Sequence, residues 1–184
     1  MLKPMQIIYL ITTGGTIEKE YSEQVGVVLN NTRKIGDYLK RLRLPGCQMR
    51  VVPLLNKDSL EMTPDDRAAL VAEIETLLSL RCPIVITHGT DTMAESGALI
   101  ERSFPNLQVP VILTGAMKPL GFDQSDGLQN LTESLFAARL LDPGVHVVFH
   151  GQVIPVAQAR KDKRLGTFVR VDTDNELLEV RAEE

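Results

Sequence analysis

The chain has 184 residues, of which 43% are hydrophobic and 4% aromatic, with no Trp and a formal net charge of -4. That length suits one domain with an aliphatic core, and the acidic balance argues against nucleic acid, whose protein partners carry basic surfaces. No apolar run is long enough to span a membrane, and Cys47, Cys82, His88, His146 and His150 show no metal-ligand spacing.

In chain order, "QIIYLI" (Gln6 to Ile11) is apolar on both faces and reads as a buried strand. No A-x-A-like cleavage site follows this run, which makes it a first strand rather than a signal peptide. A cytoplasmic protein with free thiols is the expectation. A helix at about Thr32 to Leu42 is weakened by Gly36. "QMRVVPL" (Gln48 to Leu54) is a further strand. Thr63 then caps a helix that has Pro64 in its first turn, Asp65 and Asp66 near its N-terminus, and an apolar face of Leu70, Ile74, Leu77 and Leu78.

"PIVIT" (Pro83 to Thr87) is the next strand. Asp91 or Thr92 opens a helix with Met93, Gly97, Ile100 and Phe104 on one stripe. The strand "VPVILT" (Val109 to Thr114) precedes a helix capped by Ser125 or Asp126, in which Leu128, Leu131, Leu135 and Ala138 recur at helical spacing. "LDPG" is a turn into the strand "VHVVF" (Val145 to Phe149). From Val153 onward the chain reads as short strands and loops, ending in a hairpin over "VDTDNELLEV". This alternation predicts an α/β fold: a single domain, three layers, Rossmann- or flavodoxin-like, with a mostly parallel sheet.

In such sheets ligands bind at the carboxyl ends of the strands. Three strands end in glycine and hydroxyls: "TTGGTIE", "THGTDT" and "TGAMKP". Glycine lets backbone approach a ligand, and hydroxyls donate and accept. Neither GxxxxGK[ST] nor GxGxxG is present, which points to a small polar ligand rather than a nucleotide. Thr16 is a turn cap or a nucleophile. A threonine nucleophile needs a base or a stabilising field. Thr90 beside Asp91 would form a relay with a nearby lysine, and Lys161 and Lys163 are the candidates. Their charged run, Arg160 to Arg164, also reads as a solvated loop. Backbone N–H groups at the glycine turns would hold an oxyanion.

"TTGGTI", "ITHGTDTM", "LTGAMKP" and "SDGLQNL" stand in this order here, and the chain from about Gln6 to Phe168 resembles the bacterial-type L-asparaginase family. The resemblance implies an amidohydrolase that converts asparagine to aspartate and ammonia through an acyl-threonine, without a cofactor. It implies Thr16 as nucleophile, Thr90, Asp91 and Lys161 as a second triad, and Tyr21 as a lid tyrosine. Lys163 is the fallback lysine. "KDSLEMTP" resembles the substrate-holding loop. Ser59 would then meet the substrate carboxylate, with Leu60 and Glu61 beside the α-amino group. Gly15 and Gly89 would line the pocket, and the Ala116 carbonyl would meet the amide nitrogen. Leu60 departs from the glutamine of many members, and Glu61 from a similar Asp or Asn. Asp126 is a cap or an organiser of the loop behind the site, and His88 is structural.

Residues 1–184 correspond to the catalytic domain alone, like the short-chain members, so the usual C-terminal domain is expected to be absent and a homodimer to complete the site. The rival reading is a small-amino-acid-binding module or an amidotransferase subunit that keeps the pocket without turnover. Asparagine, glutamine and D-asparagine stay open as substrates.

Overall fold

The computed structural model describes residues 5–22, 24, 26–30 and 33–171. Its strands are β1 (Gln6–Gly14), β2 (Lys19–Ser22), β3 (Val27–Asn30), β4 (Cys47–Lys57), β5 (Ile84–Thr87), β6 (Pro110–Thr114), β7 (Gly144–Phe149), β8 (Gln152–Pro155), β9 (Ala159–Asp162) and β10 (Thr167–Arg170). Its helices are α1 (Arg33–Arg41), α2 (Pro64–Leu78), α3 (Met93–Ser103) and α4 (Gly127–Ala137). The expected hairpin over "VDTDNELLEV" lies outside the described residues, apart from Val171.

The main sheet runs β4-β1-β5-β6-β7-β8. Its first five strands are parallel, and β8 returns antiparallel on β7. Alternation along β1 sorts the core. Tyr9 and Ile11 join Leu70, Ile74, Met93 and Ile100 on the α2/α3 side. Ile8 and Leu10 join Ile35, Leu39, Leu131 and Leu135 on the α1/α4 side. The result is the three-layer α/β arrangement, with apolar faces of both helix pairs closed onto one sheet. α1 forms despite Gly36 because Ile35 and Leu39, one turn apart, are buried.

Three details steer the strand ends. β1 and β4 shift register between Thr12, opposite Pro53, and Gly14, opposite Lys57. Such an irregularity re-aims the chain that leaves the sheet. The Thr63 hydroxyl accepts from Asp66 N–H while the Asp66 carboxylate accepts from Thr63 N–H, a capping box that starts α2 just after the loop of Ser59. Gly97 on α3 lies against Val156, where a Cβ would collide with the valine side chain. The missing side chain lets the segment leading into β9 press onto α3.

Candidate active site

The loops after β1, β4, β5 and β6 meet at the carboxyl edge of the sheet. Gly15 N–H donates to the Lys57 carbonyl at 2.9 Å, and a Cβ on Gly15 would lie 2.5 Å from Gly89 backbone. A Cβ on Gly89 would in turn lie 2.6 Å from the Ser59 side chain. Both glycines are therefore demanded by close approach, and Gly15 also holds a φ of 78° that favours glycine. The Thr92 hydroxyl donates to the Ser59 carbonyl at 2.9 Å, and the Thr13 hydroxyl to the Thr87 carbonyl at 2.8 Å.

Thr16 opens a short 3-10 turn, Thr16–Glu18, and is half-buried. Thr90, three residues beyond β5, is 4% exposed. Lys161 reaches this region from β9. Its Nζ donates to Thr90 Oγ1 at 2.7 Å and to Asp91 Oδ1 at 2.9 Å. Lys161 shares a strand face with buried Ala159, whereas Lys163 lies past the strand end and is exposed. A second ion pair flanks the first: Lys19 Nζ lies 2.8 Å from Asp58 Oδ2. The hydrogen bond from Lys19 is the main influence holding the Asp58 carboxyl below its ordinary value, and the positive charge of Lys161 acts in the same direction. Lys19, Asp58, Lys161 and Asp91 thus form a string of alternating charge across the site.

The other residues named from the sequence fall as follows. The Ser59 hydroxyl is buried against Gly89 and has no hydrogen-bond partner among the described residues. Leu60 is 72% exposed and Glu61 is exposed. Ala116 is fully buried. Tyr21 stands on β2, opposite Val28 in an antiparallel pair with β3, and is 53% exposed. The segment after Thr16 is therefore a short hairpin rather than a plain loop. His88 is fully buried and neutral; burial pushes its pKa down to about 4, and its Nδ1 donates to the Gly89 carbonyl at 2.8 Å.

Asp126 occupies the N-cap position of α4, but its carboxylate accepts from the N–H groups of Met117 and Lys118, at 2.9 Å each for the shorter contacts. It organises the loop of Ala116, and the Ser125 hydroxyl accepts from Gly127 N–H instead. Burial alone would raise the Asp126 carboxyl, but those backbone donors and His150 hold it below its ordinary value.

Sequence reasoning gave no role to three residues that shape this edge. Asn130 donates to the Gly115 carbonyl and to Asp126, and accepts from His150 N–H. His150 Nε2 lies 2.9 Å from Asp126 Oδ2, and its Nδ1 lies 2.9 Å from the Thr167 hydroxyl on β10. Glu18 is 1% exposed; its Oε1 accepts from Gly14 N–H at 3.1 Å and from the Thr87 hydroxyl at 2.9 Å. Asn130 was at hand in "SDGLQNL"; a glutamate after "TTGGTI" reads on sequence alone as a solvated charge.

Residues 7–178 match the family model described as Asparaginase, N-terminal. The chain belongs to the asparaginase family. An L-asparaginase of Thermococcus kodakarensis is 30% identical over 159 residues, which is 86% of this chain and 48% of that protein. L-asparaginase 1 of Escherichia coli K12 is 35% identical over 136 residues, 71% of this chain and 40% of that protein. A glutamyl-tRNA(Gln) amidotransferase subunit of Thermoplasma volcanium is 29% identical over 138 residues, 71% of this chain and 32% of that protein. The solved structure of the thermostable Thermococcus kodakarensis L-asparaginase superposes with a TM-score of 0.82 at 29% identity, covering 90% of this chain and 51% of that one. This asparaginase-family chain thus spans about half the length of the L-asparaginases it matches, or less. Among the described residues, no helix is long and apolar enough to cross a membrane.

Proposed function

We propose that the chain is an L-asparaginase-like amidohydrolase that converts asparagine and water to aspartate and ammonia. The observation that carries this reading is the position of Lys161 Nζ, hydrogen-bonded to both Thr90 and Asp91, at the strand edge where the Thr16 turn packs on the Gly89 loop.

In the proposed reaction the Thr16 hydroxyl attacks the carboxamide carbon. Its proton passes to the leaving nitrogen with the help of Thr90, Lys161 and Asp91. The C–N bond breaks and ammonia departs, leaving an acyl ester on Thr16. Water then attacks that ester, aspartate leaves, and the hydroxyl is restored. The N–H groups of Gly14 and Gly15 are already engaged, by Glu18 and Lys57. The oxyanion donors are therefore assigned to the next residues along the turns, the backbone N–H groups of Thr16 and Thr90. Ser59 is assigned to the substrate carboxylate, Leu60 and Glu61 to the rim near the α-amino group, Ala116 to the amide nitrogen through its carbonyl, and Tyr21 to a partial cover over Thr16.

We place the protein in the cytoplasm as a homodimer. Cys47 and Cys82 are free, which fits a reducing compartment. The exposed rim of Leu60 and Glu61 leaves room for a second copy of the chain. A second reading, a component of an amidotransferase, is favoured by the likeness to the Thermoplasma volcanium protein. Ammonia release from asparagine and glutamine by the purified protein decides between them. Turnover of free asparagine supports the proposal. Binding of asparagine without ammonia release sinks it and favours the second reading.

A further inference from the structure

Glu18 is a buried carboxyl that the proposed reaction does not use. It sits two residues after Thr16, on the side of the sheet where Thr12, Thr87 and Thr114 lie in register across β1, β5 and β6. One oxygen, Oε1, accepts from two donors on different strands: the N–H of Gly14, at the end of β1, and the hydroxyl of Thr87, at the end of β5. Gly14 leads through Gly15 to Thr16, and Thr87 leads through His88 and Gly89 to Thr90. The second oxygen, Oε2, is buried and has no hydrogen-bond partner among the described residues.

We propose that Glu18 is a positioning residue for the reaction: its Oε1 staples the turn carrying Thr16 to the strand end carrying Thr90, and the neutral acid is the form that holds the site ready. This rests on Thr16 and Thr90 being the reacting pair proposed above. A neutral carboxyl suits the observed pattern, with the carbonyl oxygen accepting both donors and the proton on the other oxygen. An ionised Oε2 would be a buried charge without a partner, which is costly. Burial, the dominant influence, raises the Glu18 pKa to about 7, with the Thr87 and Gly14 hydrogen bonds pulling it back only in part.

The titratable groups on the surrounding segments are engaged elsewhere. Lys19 pairs with Asp58, and Lys57 with Asp66. His88 is neutral and bonded to Gly89, and Asp126 accepts from Met117, Lys118 and His150. β1 and β5 carry no charged side chain over Leu10–Gly14 and Ile84–Thr87. Among the described residues, no cation is therefore at hand to keep Glu18 ionised. Loss of its proton would place a negative charge beneath the turn where the oxyanion of the acyl-transfer step develops, and that opposes the step.

The test compares wild type, Glu18→Gln and Glu18→Ala. Glutamine keeps a neutral carbonyl oxygen for both donors and cannot ionise; alanine removes the staple. Amide exchange at Gly14 reads the staple without substrate. It is expected to be at least about tenfold faster in Glu18→Ala than in wild type, with Glu18→Gln close to wild type below pH of about 6. In ammonia release from asparagine, kcat is expected to fall in Glu18→Ala more than KM changes, and Glu18→Gln to restore most of it. The ratio of wild-type to Glu18→Gln kcat is expected to fall by about threefold or more as pH rises through about 7.

Equal Gly14 exchange in all three proteins, or a kcat ratio flat with pH, overturns the proposal. If Glu18→Ala does not fold, the pH dependence of wild type against Glu18→Gln decides alone. If wild type releases no ammonia, the functional reading fails, and Gly14 exchange in Glu18→Ala against wild type still decides the staple: exchange about tenfold faster supports it and equal exchange overturns it.

Discussion

Lys161 Nζ lies 2.7 Å from the Thr90 hydroxyl oxygen, a contact between residues 71 positions apart. It closes because β9 pairs with β10 in a register that sets Lys161 opposite buried Phe168, on the same strand face as Ala159. Lys161→Met is therefore expected to lower kcat for ammonia release by about 10²-fold or more, the usual worth of a proton-handling group. Lys163→Met, at an exposed position past the strand, is expected to leave kcat within about twofold. Equal losses in the two variants would place the relay elsewhere.

Thr16→Ala is expected to reduce turnover by at least about 10⁴-fold while shifting the melting temperature by no more than about 2 °C, because the residue lies half-exposed in a 3-10 turn rather than in the core. Mass spectrometry of wild type quenched during turnover is expected to show an acylated peptide containing Thr16, and none in the variant. An acyl group found on Thr90 instead would reverse the two threonines' roles.

Gly15→Ala joins two penalties: a left-handed φ of 78° and a Cβ 2.5 Å from Gly89 backbone. A loss of more than about 3 kcal/mol in stability is expected, together with loss of asparagine turnover, since the loops of Thr16 and Thr90 would be forced apart. Urea unfolding measures the first and ammonia release the second. A stable, active variant would contradict the close packing.

Asp126→Asn removes a charged acceptor from Met117 N–H, Lys118 N–H and His150. A loss of about 2 kcal/mol is expected, with a rise in KM because the loop of Ala116 loosens. Since the Asp126 carboxyl is held below its ordinary value of 3.8, its contribution is complete above that value and is lost as pH falls through the depressed folded value. Wild type should therefore lose more stability than Asp126→Asn on acidification toward the carboxylate range. Parallel pH–stability curves would refute this.

Glu18 has the opposite sign. Its pKa is raised from 4.5 to about 7 on folding, so its contribution is complete below 4.5 and declines as pH rises through about 7. On the order of 3 kcal/mol separates the two limits. Glu18→Gln should melt higher relative to wild type at about pH 8 than at about pH 5. A constant difference between the two melting curves would show that Glu18 does not titrate in that range.

The layer order was legible because apolar runs such as "PIVIT" and "VPVILT" have no polar face and must lie between helices. The α2 boundary was legible because Thr63, Pro64 and Asp66 are chemically suited to a helix start and do form a capping box. The gathering of the glycine-rich turns after β1, β5 and β6 was legible because parallel strands end on one edge. The Thr16 segment was legible only in part. Its hairpin over β2 and β3 lacks the Asn-Gly or Asp-Gly signal that marks tight hairpins.

Other features depend on neighbours that no local window contains. Asp126 reads as a helix cap or a loop organiser, and the choice falls to the second because the loop after β6 folds back over the start of α4 and its Met117 and Lys118 N–H groups take the carboxylate. Lys161 and Lys163 have the same chemistry and sit two residues apart; strand pairing brings one, partly buried, to Thr90 and leaves the other in solvent. Glu18 reads as a surface charge until β1 and β5 align and the Thr87 hydroxyl arrives beside it. The sequence by itself determined the α/β layering, the three polar strand ends and the family. Which lysine meets Thr90, and which carboxyl is buried beneath Thr16, was decided by the tertiary structure, because hydrogen bonding and desolvation are set by strands distant along the chain.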